Sequence, residues 1–162
     1  MTEVQAVPQT SADPDVTSGV AQFLGPVVVD LTALSVDGKQ AHWHVRGANF
    51  QAVHELLDTV VDHARDYADT AAERVVALGL PIDARIQTVG SKTTTPIMTA
   101  GFQQADAVIA QVIAGIDATL VTVRTAVDEL AALDPVSQDV VIEIARGLEK
   151  DRWFLFAHLA TT

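Results

Sequence analysis

The sequence predicts an all-α protein: one four-helix bundle in which a long connection, with room for a short helix, separates the second helix from the third. Apolar residues recur at helical spacing over four long segments, and proline beside a capping residue marks helix starts. No segment shows convincing strand alternation, and the chain has no internal repeat. At 162 residues and 49% hydrophobic, it is long enough to bury the core of one domain.

A short polar tail precedes the bundle. Residues 1–14 are rich in Thr, Ser, Gln and Pro, which predicts a flexible N-terminal tail, and residues 15–162 are assigned to the bundle domain. Asp13 and Pro14 can supply a cap and a first helical residue. We expect the first helix to run from there to about Val45.

The second helix is expected from about Phe50 to Leu78, with Asn49 as its cap and Gly79 as its stop signal. Residues 80–99 follow it and contain prolines, a glycine and a threonine run. Such a composition is typical of irregular structure, so this stretch predicts the long connection between the two halves of the bundle.

The last two helices have similar signals. Thr99 is expected to cap a third helix that extends to about Leu133. Asp134 and Pro135 repeat the combination of cap and proline, and they predict a fourth helix that ends near Leu159.

The composition of the chain limits the range of functions that it can have. The chain has 10 basic and 21 acidic residues, a net charge of −11, which repels phosphate backbones and attracts cations, although an excess of surface carboxylates explains it equally. Without cysteine, any metal must be held by nitrogen and oxygen ligands, which favours iron, manganese or zinc. The N-terminus lacks a signal-like apolar stretch, and no window approaches a membrane span, so we expect a cytoplasmic protein.

Metal-ligand residues cluster on the second helix. His54 and Asp58 are four residues apart and share a face, and Asp69 and Glu73 repeat this geometry. Eleven residues separate Asp58 from Asp69, so both pairs point in nearly the same direction but lie roughly 16 Å apart along the axis. One metal ion cannot contact both pairs.

A second copy of the chain resolves this separation. If its second helix packs antiparallel across a two-fold axis near His63 and Ala64, each copy's acidic pair meets the other copy's His54 and Asp58. A hairpin between the first two helices would bring His42 to the same level. Two identical sites then form per dimer, each with two histidines and three carboxylates.

Two other interpretations of this cluster are an exposed helix face and a site within one bundle. The cluster is also explained as the solvated face of an amphipathic helix, although five residues in consistent register make that explanation weak. A site inside one bundle would normally use Glu-x-x-His motifs, and none occurs in the chain. An intersubunit site remains the preferred prediction.

Three stretches resemble the Dps family (DNA-binding proteins from starved cells), which are ferritin-like mini-ferritins. They are Lys39-Gln40-Ala41-His42-Trp43, His54-x-x-x-Asp58 and Asp69-x-x-x-Glu73. The spacings of twelve, four, eleven and four residues match the family's pattern, and the likeness spans roughly residues 20–160.

The resemblance implies a ferritin-like bundle and a homo-oligomer, a hollow dodecamer built from two-fold dimers. It implies a ferroxidase that oxidises ferrous iron with hydrogen peroxide and stores ferric mineral, which would limit oxidative damage. His42, His54 and Asp58 of one chain, with Asp69 and Glu73 of its mate, would be the iron ligands and catalytic residues. In the family iron enters through carboxylate-lined pores, and the residues with matching spacing here are Asp134, Asp139 and Glu143. Asp134 is equally well explained as a helix cap, so the other two are preferred.

Some positions depart from the pattern or stay open. His44 stands where asparagine is usual, and its role is left open. Trp43 would intercept stray oxidising equivalents or simply pack at an interface. Members that bind DNA use basic extensions, but residues 1–20 contain no Lys or Arg, and the C-terminus at Thr162 has no basic tail. The alternatives to a ferroxidase are therefore a nucleoid DNA-binding protein, which the charge disfavours, and a metal-dependent hydrolase that uses the same site.

Overall fold

The structure, a computed structural model, describes residues 9–159, and these form four long helices and one short helix. The helices are α1 (Pro14–His44), α2 (Phe50–Ala77), α3 (Ile86–Lys92), α4 (Ala105–Leu130) and α5 (Pro135–Ala157). Two strands of two residues each, β1 (Val45–Arg46) and β2 (Gln103–Gln104), pair in parallel. The predicted all-α bundle with a short helix in its long connection is confirmed. Most of the predicted tail, residues 1–8, lies outside the described residues.

The core is built from the apolar stripes of the four long helices. Helix α1 packs against both α2 and α4, and α5 packs against α4 and α2. Burial of each large aliphatic side chain contributes about 1.5–3 kcal/mol, so this core supplies the main favourable term in folding. The largest fully buried side chains include Leu24, Leu31, Leu57, Ile109, Ile116, Leu130, Ile144 and Leu148.

Two helix starts match the sequence prediction in detail. The Asp13 carboxylate accepts the Asp15 backbone N–H at 2.8 Å, and the Asp134 carboxylate accepts that of Ser137 at 3.2 Å. A proline occupies the first turn in both helices, where its missing N–H costs nothing. Asn49 precedes α2 as predicted, but its side chain makes no capping bond; its backbone is left-handed, with φ of 59°.

The third long helix begins later than predicted. Thr99 does not cap it, and α4 starts at Ala105. Gly101 has φ of 89°, which turns the chain, and the residues just before α4 are extended because they pair with β1. The Thr99 N–H is satisfied by the side chain of Gln111 at 2.8 Å, which also donates to Gln103. Long-range strand pairing therefore overrides the local capping signal. At its other end, α4 stops at Leu130, three residues before the predicted end.

A buried carboxylate attaches the long connection to the bundle. Asp30 in α1 is 1% exposed and accepts hydrogen bonds at 2.7–3.0 Å from Thr93, from both the N–H and the hydroxyl of Thr94, and from Thr122 in α4. Four donors replace the water that a buried charge loses, as burial of a carboxylate requires. The threonine run in the sequence therefore has a structural role.

The expectation that no window approaches a membrane span is wrong by length and composition alone, since helices α1 and α4 are long and apolar enough to span a membrane. About half of each apolar window is buried inside the bundle. Both are central helices of the fold, and core helices of this kind pass the same test.

We predict that Thr122→Val destabilises the protein by about 1.5–3 kcal/mol, because a buried carboxylate loses one of its donors. Thr125→Val is the matched control, since that exposed hydroxyl bonds only to Val121 O of its own helix; its effect should stay within about 0.5 kcal/mol. Differential scanning calorimetry at one protein concentration measures both. Equal shifts of the two thermal midpoints would contradict the assigned role of Asp30.

Candidate metal centre

The hairpin between α1 and α2 brings two predicted ligands together. His42 lies in the last turn of α1, and His54 lies in the second turn of α2. Their rings stack with centroids 3.6 Å apart and an interplanar angle of 22°. Phe50 also packs against His54, with ring centroids 5.1 Å apart. The sequence prediction that a hairpin would align the two imidazoles is therefore confirmed.

Reciprocal hydrogen bonds hold this pair. His42 Nδ1 lies 2.8 Å from the backbone oxygen of His54, and His54 Nδ1 lies 2.9 Å from the backbone oxygen of His42. A carbonyl oxygen only accepts, so each Nδ1 must carry the proton and donate. Each Nε2 then has a free lone pair, the form in which histidine binds a metal. The backbone thus sets the tautomer that coordination requires.

Asp58 follows one turn after His54 and is held by a cation. Its carboxylate forms a short ion pair with the Lys39 ammonium and lies 3.2 Å from His42 Nδ1. The hydrogen bond from Lys39 outweighs the opposing effect of burial and holds the pKa of Asp58 below its ordinary value. Asp58 is therefore ionised, and its contacts with Lys39 and His42 both use the same carboxylate oxygen, Oδ1. Lys39 was part of the recognised motif, yet sequence reasoning assigned it no role.

The second acidic pair lies further along α2. Asp69 and Glu73 are exposed and form no ion pair with residues 9–159. Eleven helical residues from Asp58 to Asp69 correspond to roughly 16 Å. Within the described part of one chain, no three His, Asp or Glu side chains converge into a group that could hold a metal. Each chain therefore presents two separated partial sets of ligands.

Two neighbours of the histidine pair point elsewhere. Trp43 is 62% exposed at the surface of α1. His44 lies with its Nδ1 2.9 Å from the backbone oxygen of Gln40 and its ring 5.3 Å from that of Phe102. The Arg46 guanidinium covers the same Phe102 ring at 3.1 Å from its centroid. In this structure His44 contacts Gln40 and the segment between α3 and α4, not the histidine pair.

The candidate pore residues differ in their surroundings. Asp134 is mostly buried, caps α5 and forms an ion pair with Arg74 at 2.7 Å. Burial opposes its ionisation, but the bonds from Ser137 and Arg74 prevail and lower its pKa. Asp139 and Glu143 are exposed one turn apart on α5. Asp134 thus has a structural role, and the other two remain the predicted pore residues.

His63 belongs to a separate pair. Its Nδ1 lies 3.0 Å from both carboxylate oxygens of Asp151, which is 2% exposed on α5. Burial raises the pKa of Asp151, and the hydrogen bond from His63 works against that rise. This contact links α2 to α5 through a buried charge and is independent of His42 and His54.

We predict that His63→Ala destabilises the protein by about 1–3 kcal/mol at pH 8, because it leaves a buried carboxylate without its donor. The variant raises the pKa of Asp151 further. When the pKa of a carboxyl group is higher in the folded than in the unfolded state, the free energy of unfolding falls as the pH rises from the unfolded-state value to the folded-state value. The deficit relative to the wild-type protein should therefore be smaller at pH 5 than at pH 8, as measured by thermal midpoints. Asp151→Asn in the same background should remove this pH dependence; its persistence would show that Asp151 is not the cause.

Comparisons with known proteins agree with this architecture. The family model of the ferritin-like domain matches residues 24–162. The chain is 35% identical to the DNA protection during starvation protein of Agrobacterium fabrum, over 88% of each chain. It is 33% identical to the protein of the same name from Mycolicibacterium smegmatis, over 88% of this chain and 78% of that one. It is also 32% identical to the fine tangled pili major subunit of Haemophilus ducreyi, over 86% of this chain and 74% of that one.

Solved structures give the same result. The structure of Dps from Microbacterium arborescens in the high iron form is 60% identical, with a TM-score of 0.90, and covers 93% of this chain and 98% of that one. Dps from Mycobacterium smegmatis in its tetragonal form is 31% identical, with a TM-score of 0.88, and covers 94% of this chain and 93% of that one. The chain therefore belongs to the Dps family of ferritin-like proteins, whose general roles are iron storage and protection against oxidative damage.

Proposed function

We propose that this protein is a ferroxidase, at sites shared by two copies of the chain, and that it stores the ferric product. His42, His54 and Asp58 of one copy, with the partner subunit's Asp69 and the partner subunit's Glu73, would bind the iron. The stacked, reciprocally bonded histidine pair carries the proposal, because both Nε2 lone pairs are free while both Nδ1 positions are fixed. The separated acidic pair supplies the reason for a second copy.

The donor set suits iron that changes its oxidation state. Two imidazoles and three carboxylates are hard or borderline ligands, which bind iron, and the negative charge favours the ferric state. Hydrogen peroxide is the proposed oxidant: two ferrous ions give up one electron each, the O–O bond breaks, and two protons complete two waters. The reaction thereby removes both reagents that generate hydroxyl radicals.

The assembly proposed for storage is a dodecamer of two-fold dimers in the cytoplasm. The oligomeric cages of structural relatives support a homo-oligomer. Asp139 and Glu143 are the preferred residues for iron entry, since both are exposed. Asp134 is the weaker candidate because Arg74 and the cap of α5 already engage its carboxylate.

The other two functions have less support. The relatives' names mention protection of DNA, but a net charge of −11 and a lysine- and arginine-free N-terminus oppose direct binding to phosphates. A hydrolase needs a substrate cavity beside its metal. A cavity of about 570 Å³ lies between α1 and the long connection, lined by residues such as Gln22, Pro26 and Lys92, and the histidine pair does not line it.

We predict that His54→Ala combined with Asp58→Ala slows ferrous oxidation by peroxide roughly 100-fold, because two ligands are lost from every site. An anaerobic iron titration followed by peroxide addition, with particle mass measured alongside, tests this. His158→Ala with Asp128→Ala is the control, since it removes the same two residue types from the position after α5 and from α4. Unchanged kinetics in the first variant would rule out this site.

A complementation experiment tests whether the site is shared. Co-expressed Asp69→Ala and His54→Ala subunits should recover roughly a quarter of wild-type activity, because half of randomly formed dimers are mixed and one of their two sites is intact. Each variant alone should be inactive. Absence of recovery in dimers whose mixed composition is verified by mass spectrometry would argue for a site within one chain.

A further inference from the structure

The proposed pairing of ligands defines the register of the two α2 helices, and this register has a further consequence. Asp62 lies four residues after Asp58, and Arg65 lies four residues before Asp69. In the proposed antiparallel crossing, Asp58 lies beside the partner subunit's Asp69. One helical turn from each of these two residues towards the dimer centre, Asp62 lies beside the partner subunit's Arg65. The two-fold axis repeats this contact in reverse. We propose that these two reciprocal ion pairs at the centre of the dimer set the register of the shared iron sites. This inference rests on the proposed function.

The structure leaves both side chains available for such a contact. The side chain of Asp62 is 72% exposed and that of Arg65 is 57% exposed. Residues four positions apart lie on the same face of a helix. Asp62 and Arg65 therefore lie on the face of α2 that carries Asp58 and Asp69. Within one chain their nearest approach is 3.8 Å, at the limit of an ion pair. A guanidinium has five donors, so Arg65 can bind a second carboxylate with good geometry.

Charge complementarity identifies the occupant of this face as a second copy. The face carries carboxylates at positions 58, 62, 69 and 73 and Arg65 near its centre. Two such faces would repel each other if every residue of one face met an acidic residue of the other. In the antiparallel register, the central acid of each copy meets the central base of the other, which is the self-complementarity that a two-fold interface requires. The same surface therefore fits itself in this register better than in a shifted one.

The surface beside Arg65 also favours a protein partner. A groove of about 380 Å³ runs between α1 and α2, and its lining combines two apolar side chains with one amide and three charged groups: Val36, Trp43, Gln40, Asp37, Lys39 and Arg65. Val36 is 63% exposed and Trp43 is 62% exposed, so apolar area lies next to the charged centre. An interface usually combines such an apolar region with a few specific charged contacts. The groove is continuous with the face that the second copy would cover.

These ion pairs would act before iron arrives. Each copy brings four carboxylates to the proposed contact, of which Asp58 is already paired with Lys39, and without metal the repulsion among the others opposes assembly. Two central arginines offset part of that repulsion. Asp62 and Arg65 are thus positioning residues: they hold the two partial ligand sets opposite each other without contacting iron.

Charge reversal tests the register directly. Asp62→Arg sets two arginines against two arginines in the homodimer, and Arg65→Asp sets aspartates against aspartates. Each variant should raise the dimer dissociation constant at least about tenfold at low ionic strength, and salt should reduce the effect. Co-expression of the two variants sets two arginines of one copy against two aspartates of the other, so mixed dimers should form in preference and recover the wild-type dissociation constant. The combined variant, Asp62→Arg with Arg65→Asp in one chain, should recover it as well.

Native mass spectrometry of the iron-free protein gives a readout that does not depend on oxidation. Asp128→Arg is the control, because it makes the same charge change on an exposed residue of α4 and should leave the dissociation constant unchanged. Circular dichroism confirms that the variants fold. If neither charge reversal weakens the dimer, or if the two variants show no preference for each other, the proposed ion pairs between Asp62 and the partner subunit's Arg65 are wrong. If the mixed dimers form in preference while the wild-type protein does not oxidise iron, the ion pairs stand and the proposed ferroxidase function fails.

Discussion

The pair of hydrogen bonds between His42 and His54 is the contact on which the candidate site depends. Each imidazole donates to the backbone oxygen of the other residue, so the rings and the two helix ends they belong to are fixed together. One interaction therefore closes the α1–α2 hairpin, selects the tautomer and leaves both Nε2 atoms free for coordination. A side chain held through the backbone of its neighbour also loses little freedom when a metal binds, which favours affinity.

Helix geometry then explains why the proposed site needs a second copy of the chain for its remaining ligands. A rigid helix separates Asp58 from Asp69 by roughly 16 Å, and no local rearrangement shortens that distance without breaking backbone hydrogen bonds. The two acidic groups are thus held apart within their own chain, as the proposed two-fold site requires. Lys39 neutralises Asp58 in the single chain. An arriving cation would replace one positive partner of this carboxylate with another, so the site need not exist as an uncompensated cluster of negative charge.

Sequence reasoning recovered the fold and the histidine pair because both follow from local rules. Helical periodicity located the four long helices, and the caps at Asp13 and Asp134 form as predicted. The start of α4 was missed because strand pairing between distant residues, Val45–Arg46 with Gln103–Gln104, overrides a local cap. The buried role of Asp30 was missed for the same reason, since its donors lie more than 60 residues away along the chain. Contacts of this kind leave no periodic signal.

The clustering of four histidines between positions 42 and 63 shows how one sequence feature divides into several structural ones. His42 and His54 form the candidate centre, His44 contacts Gln40 and Phe102, and His63 donates to Asp151. Their separation follows from helix rotation, because His63 is half a turn away from the face of Asp58 and meets α5, whereas the acidic face meets solvent in the single chain. Helix α2 thus has three distinct faces: an apolar face that packs in the core, His63 that contacts α5, and a charged face that is proposed to meet a second copy. The local density of ligand-type residues in the sequence does not distinguish His63 from the charged face. The direction of each side chain in the structure does.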